Sequence, residues 1–337
     1  MLSRLHRILR PLRRSQLVFP LYRRLSMAPT SPETRLISPE TTRIGWIGTG
    51  VMGRAMAGHL IAAGYSLTVF NRTPSKAKPL IDLGARYAES PLAVAQASDV
   101  LFLIVGYPSD VRLVGFQALP GLSPGSVLVD MTTSEPSLAA ELSLAAVAAS
   151  CQSIDAPVSG GDRGARSASL SIFAGGDAST VERLKPLFGC MGTVRYMGAA
   201  GAGQRAKLGN QIAIASTMVG LVEGMVYAHK VGLDVERWME AISTGAAGSK
   251  SLELYGKRIL DRDFEAGFFV HHFVKDLGIC LKECETLGLS LPGLALAQQL
   301  YVSLVAHGEG GLGTQALALA IERLNNTCLK GGSSGSG

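Results

Sequence analysis

The segment Arg43-Ile44-Gly45-Trp46-Ile47-Gly48-Thr49-Gly50-Val51-Met52-Gly53 constrains this chain more than any other. It reads as a short buried strand ending in a G-x-G-x-x-G turn at Gly48, Gly50 and Gly53. Arg54 to Ala63 then carries small and apolar residues suited to a helix packed on a sheet. Gly64 ends that helix, and Ser66 to Phe70 reads as a second strand. In such a βαβ unit the first glycine permits a tight turn, the second lets backbone approach a pyrophosphate, and the third lets helix and strand pack closely. The helix start offers unpaired N–H groups and a partial positive charge to the anion. With 40 glycines in 337 residues the motif alone could arise by chance. The strand before it, and the helix and strand after it, make it a dinucleotide site.

The alternation continues. Val100 to Val105, Ser126 to Asp130, Cys151 to Asp155, Leu170 to Ala174 and Thr193 to Tyr196 read as strands. Helical stretches at Ser75–Leu83, Pro91–Ala97, Asp110–Gly115, Ser137–Ala149 and Ala178–Phe188 separate them. Near-continuous apolar strands between helices predict an α/β, doubly wound parallel sheet covered on both faces. The pattern changes near residue 200. Gly198 to Gly203 reads as a flexible joint, and from Gln204 onward the signal is helical: Gln204–Lys230, Leu233–Ser243, Ser251–Leu260, Phe273–Leu287, Gly293–Ala306 and Thr314–Asn325. The expected organisation is a leader (residues 1–40), a dinucleotide-binding domain (41–201), an all-helical substrate and dimerisation domain (202–330), and a Gly/Ser tail (331–337).

Charge is distributed unevenly. Residues 1–40 hold eight arginines against two acids, which leaves 24 basic and 24 acidic of the chain's 32 and 26 for the remainder. The body is therefore neutral and has no electrostatic drive toward nucleic acid. In the leader, Arg4, Arg7, Arg10 and Arg14 alternate with Leu2, Leu5, Leu9 and Leu12, and residues 1–30 have no acid. That composition predicts a mitochondrial transit peptide; the other reading is a disordered basic tail. No apolar run is expected to reach the roughly 20 residues of a membrane span, and Ile212 to Val222 reads as a buried helix. Five cysteines and six histidines form no ligand spacing, so no metal is expected.

The second strand ends Val69-Phe70-Asn71-Arg72-Thr73, where NAD-binding folds place an acid on the ribose hydroxyls. No acid is present. Asn71 can hydrogen-bond a ribose, while Arg72, Thr73 and Lys76 can meet a 2′-phosphate, so NADP(H) is favoured over NAD(H). Arg72 also reads as an ordinary exposed loop charge.

Three more segments stand out: Ser153-Ile-Asp155-Ala-Pro157-Val158-Ser159-Gly160-Gly161, Gly201-Ala-Gly203-Gln204-Arg205-Ala206-Lys207-Leu208-Gly209-Asn210-Gln211, and Phe273-Val274-Lys275-Asp276-Leu277-Gly278. Lys207 and Asn210, three apart, share a helix face. A lysine at an apolar helix start is desolvated, which brings its amine toward neutral-pH chemistry. Taken alone, Lys207 reads equally as a surface lysine.

Together these motifs resemble the β-hydroxyacid dehydrogenase family over residues 43–326. The family includes 3-hydroxyisobutyrate dehydrogenases, tartronate semialdehyde reductases and glyoxylate/succinic semialdehyde reductases; the plant mitochondrial 3-hydroxyisobutyrate dehydrogenase-like branch is the most similar. The resemblance implies a Rossmann domain followed by a helical domain and a homodimer or homotetramer; with the basic leader, the expected location is the mitochondrial matrix. It implies cofactor contacts from Gly48, Thr49, Gly50, Val51, Met52, Gly53, Val105, Gly106 and Thr132, with Thr133 at nicotinamide or substrate. It assigns the substrate carboxylate to Ser159, Gly160 and Gly161, catalysis to Lys207 with Asn210, and cofactor and substrate contacts to Lys275 and Asp276. Two departures are visible. The loop after the fourth strand reads Val105-Gly106-Tyr107 where relatives often have Leu-Pro-Asn, and Gly209 stands where relatives often have Ala.

The implied reaction is reversible hydride transfer between nicotinamide and a small hydroxy acid or semialdehyde carboxylate. One alternative is an NADPH-dependent glyoxylate/succinic semialdehyde reductase working mainly in reduction. Another is a non-catalytic dinucleotide-binding scaffold, against which the intact Lys207, Asn210 and Lys275 argue. A decarboxylating 6-phosphogluconate-type enzyme would need a larger helical domain than this chain offers.

Overall fold

In the computed structural model, which describes residues 36–330, the chain opens with β1 (Arg43–Ile47), α1 (Val51–Ala62), β2 (Ser66–Phe70), α2 (Lys78–Asp82), β3 (Arg86–Tyr87), α3 (Pro91–Gln96) and β4 (Val100–Leu103). It continues through α4 (Pro108–Ala118), β5 (Val127–Asp130), α5 (Pro136–Ala148), β6 (Gln152–Asp155), β7 (Val158–Ser159), α6 (Gly161–Arg166) and β8 (Leu170–Gly175). Two short helices, α7 (Ala178–Arg183) and α8 (Lys185–Gly189), precede β9 (Gly192–Gly198). The rest is helical: α9 (Ala202–Lys230), α10 (Val235–Ser243), α11 (Lys250–Leu260), α12 (Val270–Leu287), α13 (Pro292–Ala306) and α14 (Leu317–Leu324).

The strands form one sheet in the order β3-β2-β1-β4-β5-β6-β8-β7, with β9 on β8. Its first six strands have the Rossmann order, in which the crevice for a dinucleotide lies where β1 meets β4. Side chains of β4 alternate between two cores: Val100 and Phe102 pack with Trp46, Met56 and Leu60 on one face, Leu101 and Leu103 with Val111, Leu138 and Leu142 on the other. Burial on both faces explains the continuous apolar run. Trp46 stacks on Phe102 at 5.2 Å, and each fully buried side chain of this size contributes about 1.5–3 kcal/mol.

The expected parallel sheet holds through β6. The last strands depart from it, because β8 runs antiparallel to both β6 and β7. The link from β7 to β8 contains only the six-residue α6, too short for a parallel crossover. Neither α6 nor the two-residue edge strand β3 was expected from the sequence. The expected helix Ala178–Phe188 is broken after Arg183, where Pro186 lacks an N–H and crowds the preceding turn.

Gly198–Gly203 is not a loose joint. A Cβ on Gly203 would lie 2.3 Å from the carbonyl of Phe173, so this glycine permits close packing of α9 on β8. Gly201, at φ +87°, starts α9. Met218, Val222, Met225 and Ala228 of α9 are buried and join Ile259, Phe273, Tyr301 and Leu317 in the helical core. By length and composition α9 could cross a membrane, with a mean hydropathy of 1.4 over its most apolar window, which corrects the expectation that no such run exists. Its apolar side is the core of the helical half.

Residues 1–35 and 331–337 lie outside the described residues, so the transit-peptide and tail readings are not addressed by the fold.

Candidate active site

The glycine turn has the geometry its spacing predicts. Gly48 is at φ +98°, and a Cβ there would sit 2.0 Å from the carbonyl oxygen of Ile104. A Cβ on Gly53 would sit 2.0 Å from the carbonyl oxygen of Gly48. Around Gly50 there is open space to 4 Å, on the side where a phosphate needs it. Gly50 caps α1 with no side-chain partner, leaving N–H groups at the helix start for an anion. Thr49 Oγ1 is buried without a hydrogen-bond partner among the described residues. An orphan hydroxyl and an open cradle at a helix N-terminus fit a dinucleotide pyrophosphate.

The end of β2 braces this turn. Asn71 Oδ1 accepts from the N–H of Thr49 at 2.9 Å, and its Nδ2 donates to the carbonyl of Thr73 at 2.9 Å. Beyond it Arg72, Thr73 and Lys76 are exposed. Arg72 lies 3.5 Å from Asp110 with its side chain 89% exposed, so little restrains it from turning to a phosphate. Val51 and Met52 open α1.

Across the crevice, the N–H of Val105 donates to Thr132 Oγ1 at 3.0 Å, and the N–H of Thr132 to Asp130 Oδ1 at 2.9 Å. Burial pushes the Asp130 carboxyl up to about 7, partly opposed by its bond from Thr132. Gly106 faces the start of α12: a Cβ there would be 3.8 Å from His272 Cε1, and the His272 ring lies 5.7 Å from that of Tyr107. Burial, with the Lys275 charge beside it, lowers the His272 pKa.

Asp155, the last residue of β6, holds α9 in place. Its Oδ1 accepts from the N–H of Gly201 and its Oδ2 from the N–H of Gln204, each at 2.8 Å. A carboxylate at a helix N-terminus is favoured by the helix dipole. Burial nevertheless lifts Asp155 to about 6, against these bonds. One turn on, Lys207 is only 7% exposed. Its ammonium is brought down to about 8, first by burial; Asp276 opposes the shift and Lys275 adds to it.

The predicted substrate loop meets the same helix. Ser159 Oγ donates to Asn210 Oδ1 at 3.2 Å, and Gly160 and Gly161 follow at φ +127° and +62°. Asn210 Nδ2 donates to Gln211 Oε1 at 2.9 Å, and Gln211 Nε2 to Asp276 Oδ2 at 2.6 Å. Lys275 pairs with Asp276 at 2.8 Å and donates to the carbonyl of Thr133 at 2.6 Å. Asp276 is therefore buried between α9 and α12, with both oxygens occupied. The residues read from the sequence thus fall into two groups: Gly48–Gly53 with Asn71–Lys76, and Thr132–Thr133, Ser159–Gly161, Lys207, Asn210 and Lys275–Asp276.

Sequence reasoning missed Asp130, Asp155, Gln204, Gln211 and His272 as members of this network. The signal was present for four of them. Asp130 and Asp155 are acids ending apolar strands and are register partners. Gln204 and Gln211 flank Lys207 at helical spacing on the buried side.

A Rossmann sheet with this glycine turn, opposed by a buried lysine from a helical half, defines an NAD(P)-dependent oxidoreductase acting on CH–OH groups. Residues 43–201 match the family described as the NAD binding domain of 6-phosphogluconate dehydrogenase, and residues 201–321 that described as NAD-binding of NADP-dependent 3-hydroxyisobutyrate dehydrogenase. The chain is 66% identical to the probable 3-hydroxyisobutyrate dehydrogenase-like 1, mitochondrial, of Arabidopsis thaliana, covering 93% of this chain and 95% of that one. It is 33% identical to the chloroplastic glyoxylate/succinic semialdehyde reductase 2 of the same plant, covering 84% and 80%. Among solved structures, the 3-hydroxyisobutyrate dehydrogenase of Mycobacterium tuberculosis with L-serine superposes with a TM-score of 0.77 at 27% identity, covering 83% and 99%. The chain belongs to the 3-hydroxyisobutyrate dehydrogenase-like family of β-hydroxyacid dehydrogenases.

Proposed function

We propose that Lys207 is the general acid and base of a reversible oxidoreduction between a small β-hydroxy carboxylate and its carbonyl partner. The observation that carries this reading is the burial of the Lys207 amine, brought down to about 8, beside the Thr132–Thr133 and Ser159–Gly161 segments' own helix partners Gln204 and Asn210. A bound nicotinamide supplies or accepts the hydride. In reduction Lys207 Nζ gives a proton to the substrate oxygen; in oxidation it takes one from the hydroxyl. Asn210 and Ser159 orient the substrate, and Ser159, Gly160 and Gly161 hold its carboxylate with charge from Lys275. The helical half covers the site and excludes water. We assign the catalytic unit to residues 41–330, divided at about residue 201.

NADP(H) is the preferred cofactor in this reading, NAD(H) the second. The absent acid after β2 and the exposed Arg72, Thr73 and Lys76 support it. Charge-assisted hydrogen bonds contribute about 1.5–3 kcal/mol each. Arg72→Ala therefore weakens NADPH by roughly tenfold or more and leaves NADH little changed in a binding titration. Equal losses for both cofactors refute the preference.

The physiological substrate follows from a screen of NADPH and NAD against 3-hydroxyisobutyrate, glyoxylate and succinic semialdehyde. Oxidation of 3-hydroxyisobutyrate with NAD would place the chain in valine breakdown. The NADP preference and the likeness to a semialdehyde reductase favour the second reading, a reductase of glyoxylate or succinic semialdehyde. Turnover of none of these by the full chain refutes both. The exposed Tyr227, Val231, Leu233, Leu287 and Leu289 of the helical half support a homodimer or homotetramer, which a monomeric mass by light scattering would exclude. The arginine-rich leader, and the mitochondrial name of the 66% identical relative, support a matrix location. Residues 1–40 fused to a fluorescent reporter should carry it into mitochondria; a wholly cytosolic signal overturns that assignment.

A further inference from the structure

We infer that Gln204 is a positioning residue, whose carboxamide sets the place of the Lys207 amine relative to the Thr132–Ser134 segment; this rests on the role proposed above for Lys207. Gln204 is fully buried. Its Nε2 donates to the carbonyl of Thr132 at 2.7 Å, and its Oε1 accepts from the N–H of Ser134 at 2.8 Å. One side chain thus pairs a donor and an acceptor of the same short segment, while Lys275 takes the intervening carbonyl of Thr133 at 2.6 Å. Three backbone groups of that segment, the Thr132 and Thr133 carbonyls and the Ser134 N–H, are held by the two helices that carry Lys207 and Lys275.

The other end of the linkage is equally fixed. The N–H of Gln204 is bonded to Asp155 Oδ2, so its helix turn is pinned to the end of β6. Gln204 and Lys207 are three residues apart on a helix, so they lie on one face. A helix is stiff over one turn. Whatever fixes the Gln204 carboxamide on Thr132 and Ser134 therefore fixes where Lys207 enters the site. The Ser134 hydroxyl is buried without a partner among the described residues, so the segment is held through its backbone and not through that side chain. Asp155 alone would hold the helix on the sheet but leave the Thr132–Ser134 segment unregistered against it.

The isosteric Gln204→Glu variant separates positioning from bulk. Ionised, the new side chain still accepts from Ser134 but repels the Thr132 carbonyl; protonated, it donates to that carbonyl again. In the full chain, kcat of Gln204→Glu should fall at least tenfold at pH 8, and by more than any loss of NADPH affinity. Its ratio to wild type should recover as pH is lowered and the carboxyl takes up its proton. Gln204→Leu should show the loss at every pH. A merely structural residue would lower Tm and leave kcat and its pH profile where they were; that result in the folded glutamate variant overturns the inference. Should the leucine variant fail to fold, the glutamate variant carries the test. Lys207→Ala run alongside distinguishes the two levels: an active Lys207→Ala defeats the reading beneath, whereas an inactive Lys207→Ala with normal Gln204 variants defeats only the role of Gln204.

Discussion

Lys207→Ala should lower kcat by about 10²–10⁴-fold and leave NADPH binding nearly intact, because positioned acid–base catalysis contributes that much and Lys207 belongs to α9, not to the glycine turn that opens α1. The pH dependence has a definite sign. Burial lowers the amine to about 8, so it is mostly charged below that pH and mostly neutral above it. Reduction needs the charged form as proton donor, so its rate falls as pH rises through about 8. Oxidation needs the neutral form as acceptor, so its rate climbs over the same interval. Lys207→Arg keeps a charge that is not lost in this range, and the oxidative rise with pH should disappear. Steady-state rates in both directions from pH 6 to 10 check this. Unchanged turnover in Lys207→Ala removes the residue from the chemistry.

The glycine turn gives the second large effect, and its glycines should fail in different ways. A Cβ at Gly53 would meet the Gly48 carbonyl at 2.0 Å, and backbone on both sides must move. Gly53→Ala should destabilise the protein itself, by about 1–3 kcal/mol or more as overpacking does, and lower Tm without any cofactor present. Around Gly50 nothing lies within 4 Å. Gly50→Ala should cost the apoprotein no more than about 1 kcal/mol as a poorer helix cap. It should still weaken NADPH and NADH alike by roughly 100-fold, because the new methyl group stands where the phosphates must approach the backbone. Thermal melts and cofactor titrations of the two variants separate these effects. Undiminished binding by Gly50→Ala would mean that the phosphates do not lie over this turn. The contrast with Arg72→Ala is informative, since that variant distinguishes the cofactors and Gly50→Ala does not.

Much of the architecture is written in short-range patterns. The strand of β1, the glycine spacing, the apolar strands and the change to helix after residue 200 each depend on neighbours within a few residues. Pattern reading fails where the pattern is too short or the constraint is tertiary. A two-residue edge strand carries no period, and the reversal of β8 follows from a connection too short to cross over. Gly203 reads as flexibility in sequence because the Phe173 carbonyl against which it packs is not local.

The dinucleotide crevice was legible in the glycine spacing and its flanking strands, and helical spacing alone put Lys207 and Asn210 on one face. Long-range packing, by contrast, is what pins the start of that helix on Asp155, closes Gln204 on Thr132 and Ser134, and brings Lys275 to Thr133. These bonds join residues 49 to 142 positions apart. Helix and strand periods report which side of an element is buried, but a hydrogen bond between distant segments depends on where the packed elements end. That placement is fixed by the whole core at once, and no local run of residues encodes it.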